Sequence, residues 1–225
     1  MDRKRIVLVH AYRHSMAPID EVFRVGWPEA EIVNILDESL YSDAAPDGTL
    51  APSVHGRLKS LFQHCILSGA KAIVFTGSTF GPAVDDARRD IPVPVLKADE
   101  AMAELAAARG PRILVVCTAA RAIPIIQRNI DAAAANSDLS LHIEATCVVG
   151  AKDAIIDGRL TDHNRLVGEA IEVAALSGQY DVIVVGQISM VPALRMLSPN
   201  AVSRVITSPS ASLAKLRSML EPCAR

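Results

Sequence analysis

The chain has few aromatic residues and no excess of positive charge. Aromatic residues make up 4% of the 225 residues, and 23 Lys and Arg stand against 25 Asp and Glu, for a net charge of −2. Proteins that bind nucleic acid need a basic surface for the phosphates and often stack bases on aromatic rings. The composition therefore predicts that this protein does not bind nucleic acid.

The sequence also lacks a long hydrophobic run. A membrane-spanning helix needs roughly 18 or more apolar residues in succession, and no stretch approaches this length. The apolar segment 6–9 follows a basic start, but His10 and Arg13 interrupt it too early for a signal-peptide core. We therefore expect a cytoplasmic protein without a membrane partner.

Cysteine motifs and nucleotide-binding motifs are missing as well. Cys65, Cys117, Cys147 and Cys223 form no C-x-x-C pair and no His/Cys cluster with zinc spacing. Neither G-x-G-x-x-G nor G-x-x-x-x-G-K-[ST] occurs. We expect free thiols, no metal and no bound nucleotide.

Half of the residues are apolar, which is enough for a substantial core. Short β-branched segments alternate with alanine-rich amphipathic segments, and this alternation is typical of α/β proteins with parallel sheets and helices on both faces. Strands are predicted at 6–10, 31–36, 72–76, 93–97, 112–117, 141–148, 182–186 and 203–207. Helices are predicted at 53–68, 84–89, 100–109, 123–135, 163–177 and 210–220.

The sequence contains an internal repeat. The segment V-F-T-G-S-T-F-G-P-A-V at 74–84 aligns with V-V-G-Q-I-S-M-V-P-A-L at 184–194, and Val7-Leu8-Val9 aligns more weakly with Leu114-Val115-Val116. Chance similarity between two βα turns is the alternative explanation. A duplication predicts two lobes, 1–109 and 110–225, divided near Gly110-Pro111, with the C-terminal helix free to pack back on the first lobe.

The repeat also predicts where a ligand binds. In open parallel sheets, ligands bind beyond the carboxyl ends of the strands. The segments 76–80 and 186–190 follow equivalent strands, so we expect them to face each other across a cleft between the lobes.

Five segments carry a resemblance to a known family. They are V-H-A-Y-R-H-S-M-A-P-I at 9–19, W-P-E-A-E-I-V-N-I-L-D-E-S-L at 27–40, F-T-G-S-T-F-G-P-A at 75–83, P-V-L-K-A-D-E-A-M at 94–102 and V-V-G-Q-I-S-M at 184–190. In order and spacing they resemble the aspartate/glutamate/hydantoin racemase superfamily, whose relatives include arylmalonate decarboxylase and maleate isomerase. The resemblance implies two pseudosymmetric flavodoxin-like lobes, cofactor-free chemistry on a small carboxylate-bearing substrate, and a homo-oligomer.

The resemblance places the two family cysteines, which remove and return the α-proton, at Gly77 and Gln187. Glycine has no side chain, and a neutral amide is neither a useful acid nor a useful base near pH 7. The other site groups that the resemblance implies are hydrogen-bond donors able to bind a carboxylate or an oxyanion. They are the hydroxyls of Thr76, Ser78, Thr79, Thr118 and Ser189 and the backbone N–H of Ile188. The alternative role for these hydroxyls is capping of the following helices.

Other side chains are candidates for proton transfer or substrate binding. His10 ends the first strand and titrates in a suitable range, with a structural role as the alternative; His14 lies in the loop behind it. Cys117 ends the fifth strand, with a buried packing role as the alternative. Arg13 and Arg121 can clamp a carboxylate, whereas Asp37, Glu38, Asp99 and Glu100 are either polar site groups or caps. We expect His163 on the surface, in the first turn of a helix.

Three hypotheses for function follow. The first is an enzyme acting at a carbon next to a carboxylate or carbonyl, as an isomerase or as a lyase such as a decarboxylase. The second is a catalytically silent protein that binds a small carboxylate. The third is an engineered Cys→Gly variant, at residue 77, of a one-cysteine enzyme.

Overall fold

The structure is a computed structural model that describes residues 3–44, 49–135 and 140–221. Cys223 lies outside the described residues. The described residues form eight strands, whose ends differ from the predicted ones by at most two residues. They are β1 (Arg5–His10), β2 (Glu31–Leu36), β3 (Ala72–Phe75), β4 (Val95–Lys97), β5 (Arg112–Cys117), β6 (His142–Cys147), β7 (Val182–Val185) and β8 (Val205–Thr207).

The described residues divide into two compact units. One consists of residues up to Ala98 together with those from Ser212 onward, and the other of Asp99–Ala211. The first contains a parallel sheet in the order β2-β1-β3-β4, and the second a parallel sheet in the order β6-β5-β7-β8. The predicted α/β class with two four-stranded parallel sheets is therefore confirmed, and both sheets have the strand order of flavodoxin-like folds.

The register of the strands reproduces the sequence repeat. Leu8 of β1 lies beside Val74 of β3, and Val115 of β5 lies beside Val184 of β7. The sequence alignments pair Leu8 with Val115 and Val74 with Val184. An accidental similarity between two turns would not also match the strand pairing, so the register supports an internal duplication.

Ten α-helices connect the strands of the described chain. They are α1 (Arg13–Gly26), α2 (Ser39–Asp43), α3 (Pro52–Leu67), α4 (Gly81–Ala87), α5 (Ala98–Arg109), α6 (Ile123–Ala134), α7 (Ala151–Ile156), α8 (Leu160–Leu176), α9 (Pro199–Arg204) and α10 (Ser208–Leu220). Short 3₁₀ segments lie at Ser78–Phe80, Arg88–Asp90, Ala120–Ala122 and Ile188–Met196.

The prediction that His14 lies in a loop was wrong, because α1 begins at Arg13. Pro18 lies inside this helix and obscures it, since proline removes one hydrogen bond and usually marks a helix end. The helical signal is the spacing of the buried residues Ser15, Ile19 and Phe23, four apart on one face. The short helices α2, α7 and α9 were also not predicted.

One helix lies in a different unit from the one that the predicted boundary at 109/110 implies. Although α5 precedes that boundary, its Ala101, Met102 and Ala106 pack in a core cluster with Ile113 and Val115 of β5. The small side chains of α5 allow this close packing on the second sheet.

The C-terminal part of α10 packs in the first unit. Arg217 donates a hydrogen bond to the carbonyl of Gly26 at 2.8 Å. Just beyond the helix, the Glu221 carboxylate accepts from Trp27 Nε1 at 3.0 Å and from Lys4 Nζ at 3.2 Å. These bonds join the end of the described chain to the unit that contains its beginning.

Helices cover both faces of the second sheet. Successive strand residues point to opposite faces, and the buried residues separate accordingly. Val115 packs in a cluster with residues of α5 and α6, whereas Val116 packs in another with Val167 and Ile171 of α8. The carboxyl ends of β5 and β7 continue into the loops described below. Within the described residues, no helix is both long and apolar enough to span a membrane.

Candidate active site

The loop after β3 carries the first group of predicted site residues. Thr76 continues the strand ladder by donating its N–H to the carbonyl of Val9 at 2.9 Å. The chain then turns, and the N–H of Phe80 donates to the carbonyl of Gly77 at 3.0 Å. Ser78–Phe80 form a 3₁₀ turn that leads into α4. The strand therefore ends at Thr76, and a helical turn begins directly behind Gly77.

The loop after β7 has the same construction. Gly186 donates its N–H to the carbonyl of Val116 at 2.9 Å, and Met190 donates to the carbonyl of Gln187 at 3.1 Å. Gln187 has φ −140° and ψ 139°, close to the φ of −141° and ψ of 100° at Gly77. In each unit, a strand end is thus followed by a helical turn with the same pattern of backbone hydrogen bonds.

The hydroxyls of the two loops do not cap the following turns. Neither Gly77 nor Gln187, which stand at the N-cap positions, receives a side-chain cap. Ser78, Thr79 and Ser189 are half-buried, and their hydroxyls make no hydrogen bond to another described residue. The first N–H groups of a helical turn also lack intrahelical partners. Each loop therefore offers unused hydroxyl and amide donors, which are groups able to bind an anion.

Gly77 is required by space and not by backbone conformation. Its φ of −141° is available to any residue. A Cβ built on Gly77 would lie 2.9 Å from Phe75 Cε1 and 2.9 Å from Phe80 Cδ2. The two rings pack edge to face, with centroids 5.6 Å apart, and both residues are buried. A side chain at residue 77 would have to displace these rings.

Gln187 is held by its own unit in one orientation. Its Oε1 accepts hydrogen bonds from the N–H of Thr118 at 2.6 Å, from the Thr118 hydroxyl at 3.0 Å and from the N–H of Ala119 at 3.3 Å. Backbone N–H groups can only donate, so the amide oxygen must face them. The Nε2 group, with two N–H donors, then points away from these partners. The Thr118 hydroxyl, which we predicted to contact substrate, is directed to Gln187 instead.

His10 and Thr76 come together at the carboxyl ends of β1 and β3. His10 Nδ1 lies 2.8 Å from Thr76 Oγ1, and His10 Nε2 lies 2.9 Å from Asn34 Oδ1. Asn34 Nδ2 donates to Asp20 Oδ1 at 2.6 Å, and Arg24 Nε donates to Asp20 Oδ2 at 2.7 Å. Burial lowers the pKa of His10, while the Asn34 hydrogen bond and the Asp20 charge oppose that change. The imidazole is fully buried, so it cannot itself reach a ligand.

Asn34 and Asp20 are the members of this network that the sequence interpretation missed. Two signals were present. Asn34 is a polar residue inside the otherwise apolar strand E-I-V-N-I-L, and Asp20 stands four residues before Arg24 on α1. Without α1, the second signal had no structural meaning.

Cys117 has a packing role in the second unit. It is fully buried, and burial, together with the neighbouring Cys147, raises its pKa to about 12. The Cys117 sulfur occupies the space that a side chain at Gly186 would need. Such a thiol is a poor proton donor or acceptor near neutral pH.

The prediction that His163 lies on the surface was wrong, because it is fully buried in the first turn of α8. Its Nδ1 lies 3.0 Å from Asn164 Oδ1, and its Nε2 has no hydrogen-bond partner. The helix position was predicted correctly. The buried face of α8, which also carries Val167 and Ile171, begins one turn earlier than expected.

The remaining charged candidates are engaged within their own units. Arg13 is exposed and paired with Glu38, with 2.7 Å between Nε and Oε1. Asp37 accepts from the N–H of Ser39 at 3.1 Å and from Arg57 at 2.6 Å, as a turn-capping residue does.

In the second unit, the carboxylate of buried Asp99 accepts from Asn129 at 2.8 Å. Glu100 is half-buried beside it in the first turn of α5. His14 lies on α1, not in a loop, with its ring 5.1 Å from that of Tyr12. Arg121 is exposed in the turn Ala120–Ala122. In the described ranges, no group of three or more His, Cys, Asp or Glu could hold a metal ion.

Comparison with known proteins identifies the class. The Asp/Glu/Hydantoin racemase family profile matches residues 39–216, so the chain belongs to this family. No curated protein sequence matches it.

Solved structures agree with the fold. The allantoin racemase from Klebsiella pneumoniae is similar with a TM-score of 0.69 at 16% identity, over 96% of this chain and 87% of that one. An aspartate racemase homologue from Pyrococcus horikoshii gives a TM-score of 0.68 at 15% identity, over 96% and 98%. Unliganded arylmalonate decarboxylase gives a TM-score of 0.61 at 14% identity, over 99% and 94%. At these identities the similarity establishes the fold, and the substrate has to be argued from the site.

Proposed function

We propose that the protein is a cofactor-independent enzyme acting at a carbon next to the carboxylate or carbonyl of a small acid or amino-acid derivative. The reaction is an isomerisation or a lyase reaction such as a decarboxylation. The observation that carries the proposal is the pair of equivalent loops at 76–80 and 186–190, in which the hydroxyls of Ser78, Thr79 and Ser189 are half-buried and make no hydrogen bond to another described residue. Racemases and a decarboxylase among the structural relatives agree with this reaction type.

The loops supply what such a reaction needs most, which is stabilisation of negative charge. Removal of a proton or of carbon dioxide leaves an enolate, and fixed donors lower its energy in a site shielded from water. Ser78 and Thr79 offer hydroxyls in the first unit. Ser189 offers a hydroxyl in the second, and Gln187 offers Nε2, whose direction is fixed by the three bonds to its oxygen.

A substrate screen in D₂O tests the proposal. The protein is incubated with hydantoins, allantoin, aspartate, glutamate, arylmalonates and maleate, and NMR follows deuterium incorporation, isomerisation and loss of carbon dioxide. We expect turnover of at least one acid. Absence of exchange and turnover with every acid would contradict the proposal.

Two variants test the donors once an acid is found. Gln187→Glu keeps an oxygen toward Thr118 and Ala119 but replaces the Nε2 donor with a charged acceptor. Ser78→Ala removes one loop hydroxyl. Loss of a single oxyanion donor costs about 10²- to 10³-fold in rate, and we expect losses of this order. Ser60→Ala is the matched control, because Ser60 is exposed on α3 and bonds only to the carbonyl of Gly56.

A silent carboxylate-binding protein is the second candidate. It is favoured by Gln187, whose amide can donate hydrogen bonds but cannot exchange a proton at neutral pH. A thermal-shift screen with the same acids separates the two functions. Binding at 100 times the Kd stabilises a protein by about 2.7 kcal/mol, so stabilisation without turnover would identify the silent protein.

A further inference from the structure

Four buried or half-buried side chains form a continuous hydrogen-bonded line behind the first loop. The line runs from Thr76 through His10 and Asn34 to Asp20, with successive distances of 2.8, 2.9 and 2.6 Å. Three elements supply it, since His10 ends β1, Asn34 lies in β2 and Asp20 lies on α1. Arg24, one turn further along α1, pairs with Asp20.

The line has a defined direction. Asp20 is a carboxylate, since the hydrogen bonds from Arg24 and Asn34 lower its pKa although burial opposes this. The amide nitrogen of Asn34 must therefore face Asp20, and its oxygen faces His10 Nε2. That oxygen can only accept, so Nε2 carries the proton of the neutral imidazole and Nδ1 accepts from the Thr76 hydroxyl.

The second unit shows that the fold does not need this line. The register places Cys117 where the first unit has His10, Ala145 where it has Asn34, and Gly186 where it has Thr76. None of these three residues can form the corresponding bonds. The same sheet is thus built without the polar network, so the parallel sheet does not itself require it.

Position in the loop identifies the end of the line that can meet a substrate. His10 is fully buried, whereas Thr76 directly precedes Gly77 in the loop. Asp20, at the other end, is 23% exposed but lies on α1 and is paired with Arg24. A proton can reach the imidazole from this loop through the Thr76 oxygen. We propose that Thr76 is the proton-transferring residue of the first loop, acting as a relay to His10, with Asn34 and Asp20 as positioning residues. The inference rests on the proposed function and names the group that acts at the loop where the family has a thiol.

The relay works in both directions without any other reactant. As the substrate carbon gives its proton to Thr76 Oγ1, the Thr76 hydroxyl proton passes to His10 Nδ1, and the electron pair stays on the substrate as an enolate. In the return step, His10 Nδ1–H donates to Thr76 Oγ1, whose own proton passes to the carbon. The positive charge on the imidazolium is stabilised through Asn34 by the Asp20 carboxylate.

Other charged groups around His10 do not compete for this role. Asp37 follows β2 and donates its backbone N–H to the carbonyl of His10 at 2.9 Å, but its carboxylate is paired with Arg57. Arg24 is bound to Asp20. The charges that act on the imidazole are therefore Asp20 and, behind it, Arg24.

Variants of the full-length protein test the relay. Thr76→Val keeps the shape and removes the hydroxyl, while Thr76→Ser keeps the hydroxyl. In the deuterium-exchange assay we expect a loss of about 100-fold or more for Thr76→Val, the usual contribution of a proton-transfer group, and less than about 10-fold for Thr76→Ser. Asp20→Asn shifts the acidic limb of the pH–rate profile to lower pH, because the charge that favours protonated His10 is lost. Asp90→Asn, an exposed control paired with Lys59, leaves the profile unchanged.

A measurement without substrate gives an independent readout. In ¹⁵N NMR spectra we expect neutral His10 to carry its proton on Nε2 and a bare Nδ1. A proton on Nδ1, or wild-type exchange by Thr76→Val, would overturn the relay while leaving the proposed function intact. Absence of exchange in the wild-type protein with every acid would overturn the proposed function, and the catalytic role of Thr76 with it.

Discussion

Phe75 and Phe80 occupy the space that a side chain at residue 77 needs, and we therefore expect Gly77→Ala to destabilise the protein. The added Cβ would lie 2.9 Å from a carbon of each ring. Overpacking of this kind costs roughly 1–3 kcal/mol. Because φ at Gly77 is −141°, no backbone strain is added. Alanine restricts the unfolded chain more than glycine does, and this offsets about 0.4–1 kcal/mol of the loss in stability.

The expected net loss is about 1–2 kcal/mol in the free energy of unfolding. For a chain of this size, each kcal/mol corresponds to roughly 2–4 °C in Tm. Urea denaturation and thermal melts measure the change. Gly56→Ala is the matched control, since Gly56 is exposed on α3 and its Cβ would meet nothing within 4 Å. That control is expected to gain about 0.5–1 kcal/mol from helix propensity.

A double variant tests the cause of the loss. Phe80→Ala removes one of the two ring carbons that lie 2.9 Å from the added Cβ, so the cost of Gly77→Ala should fall by about 1 kcal/mol in that background. The reasoning is refuted if Gly77→Ala is as stable as Gly56→Ala, or if its cost is the same with and without Phe80.

Three further outcomes are expected. His163→Leu should raise the free energy of unfolding by about 1 kcal/mol in urea melts, because it removes a buried nitrogen without a partner; a loss of stability would show that Nε2 is satisfied. Burial lowers the pKa of His10, so the folded chain binds this proton less readily than the unfolded chain, and stability should fall as pH drops below about 6.5. His10→Gln should flatten that part of a curve of Tm against pH. An unchanged slope would contradict the burial of the imidazole. Burial raises the pKa of Cys65 to about 11 and that of Cys117 to about 12, so peptide mapping after iodoacetamide treatment at pH 8 should find both unmodified in the native protein and modified in urea.

The sequence was sufficient to predict the sheets. Apolar β-branched strands separated by amphipathic helices have strong local signals, and the repeat added the equivalence of the two halves. What it did not indicate was which helices belong to which unit. The small residues of α5 would suit either sheet, and only packing of Ala101 and Met102 with Ile113 decides the question. Pro18 concealed α1 in the same way, since tertiary packing of Ile19 and Phe23 overrides its local effect.

For the candidate site, the sequence predicts positions but not contacts. The repeat places Gly77 and Gln187 in equivalent loops. The bonds of Gln187 to Thr118, and those of His10 to Asn34, join residues far apart in the sequence. Such contacts follow from strand register, which a single sequence does not specify. Hence His10 was recognised as a titratable group, while its burial and its access through Thr76 emerged from the structure.

The hydroxyls of Ser78 and Ser189 belong to the basis of the proposed function, and one measurement tests them directly. Deuterium incorporation from D₂O into the best acid of the screen is compared between the wild-type protein and a Ser78→Ala/Ser189→Ala variant, with Tm measured for both. We predict incorporation by the wild-type protein and a loss of at least about 100-fold in the variant, with the Tm unchanged because neither hydroxyl bonds to another described residue. Equal incorporation by both proteins would contradict the account.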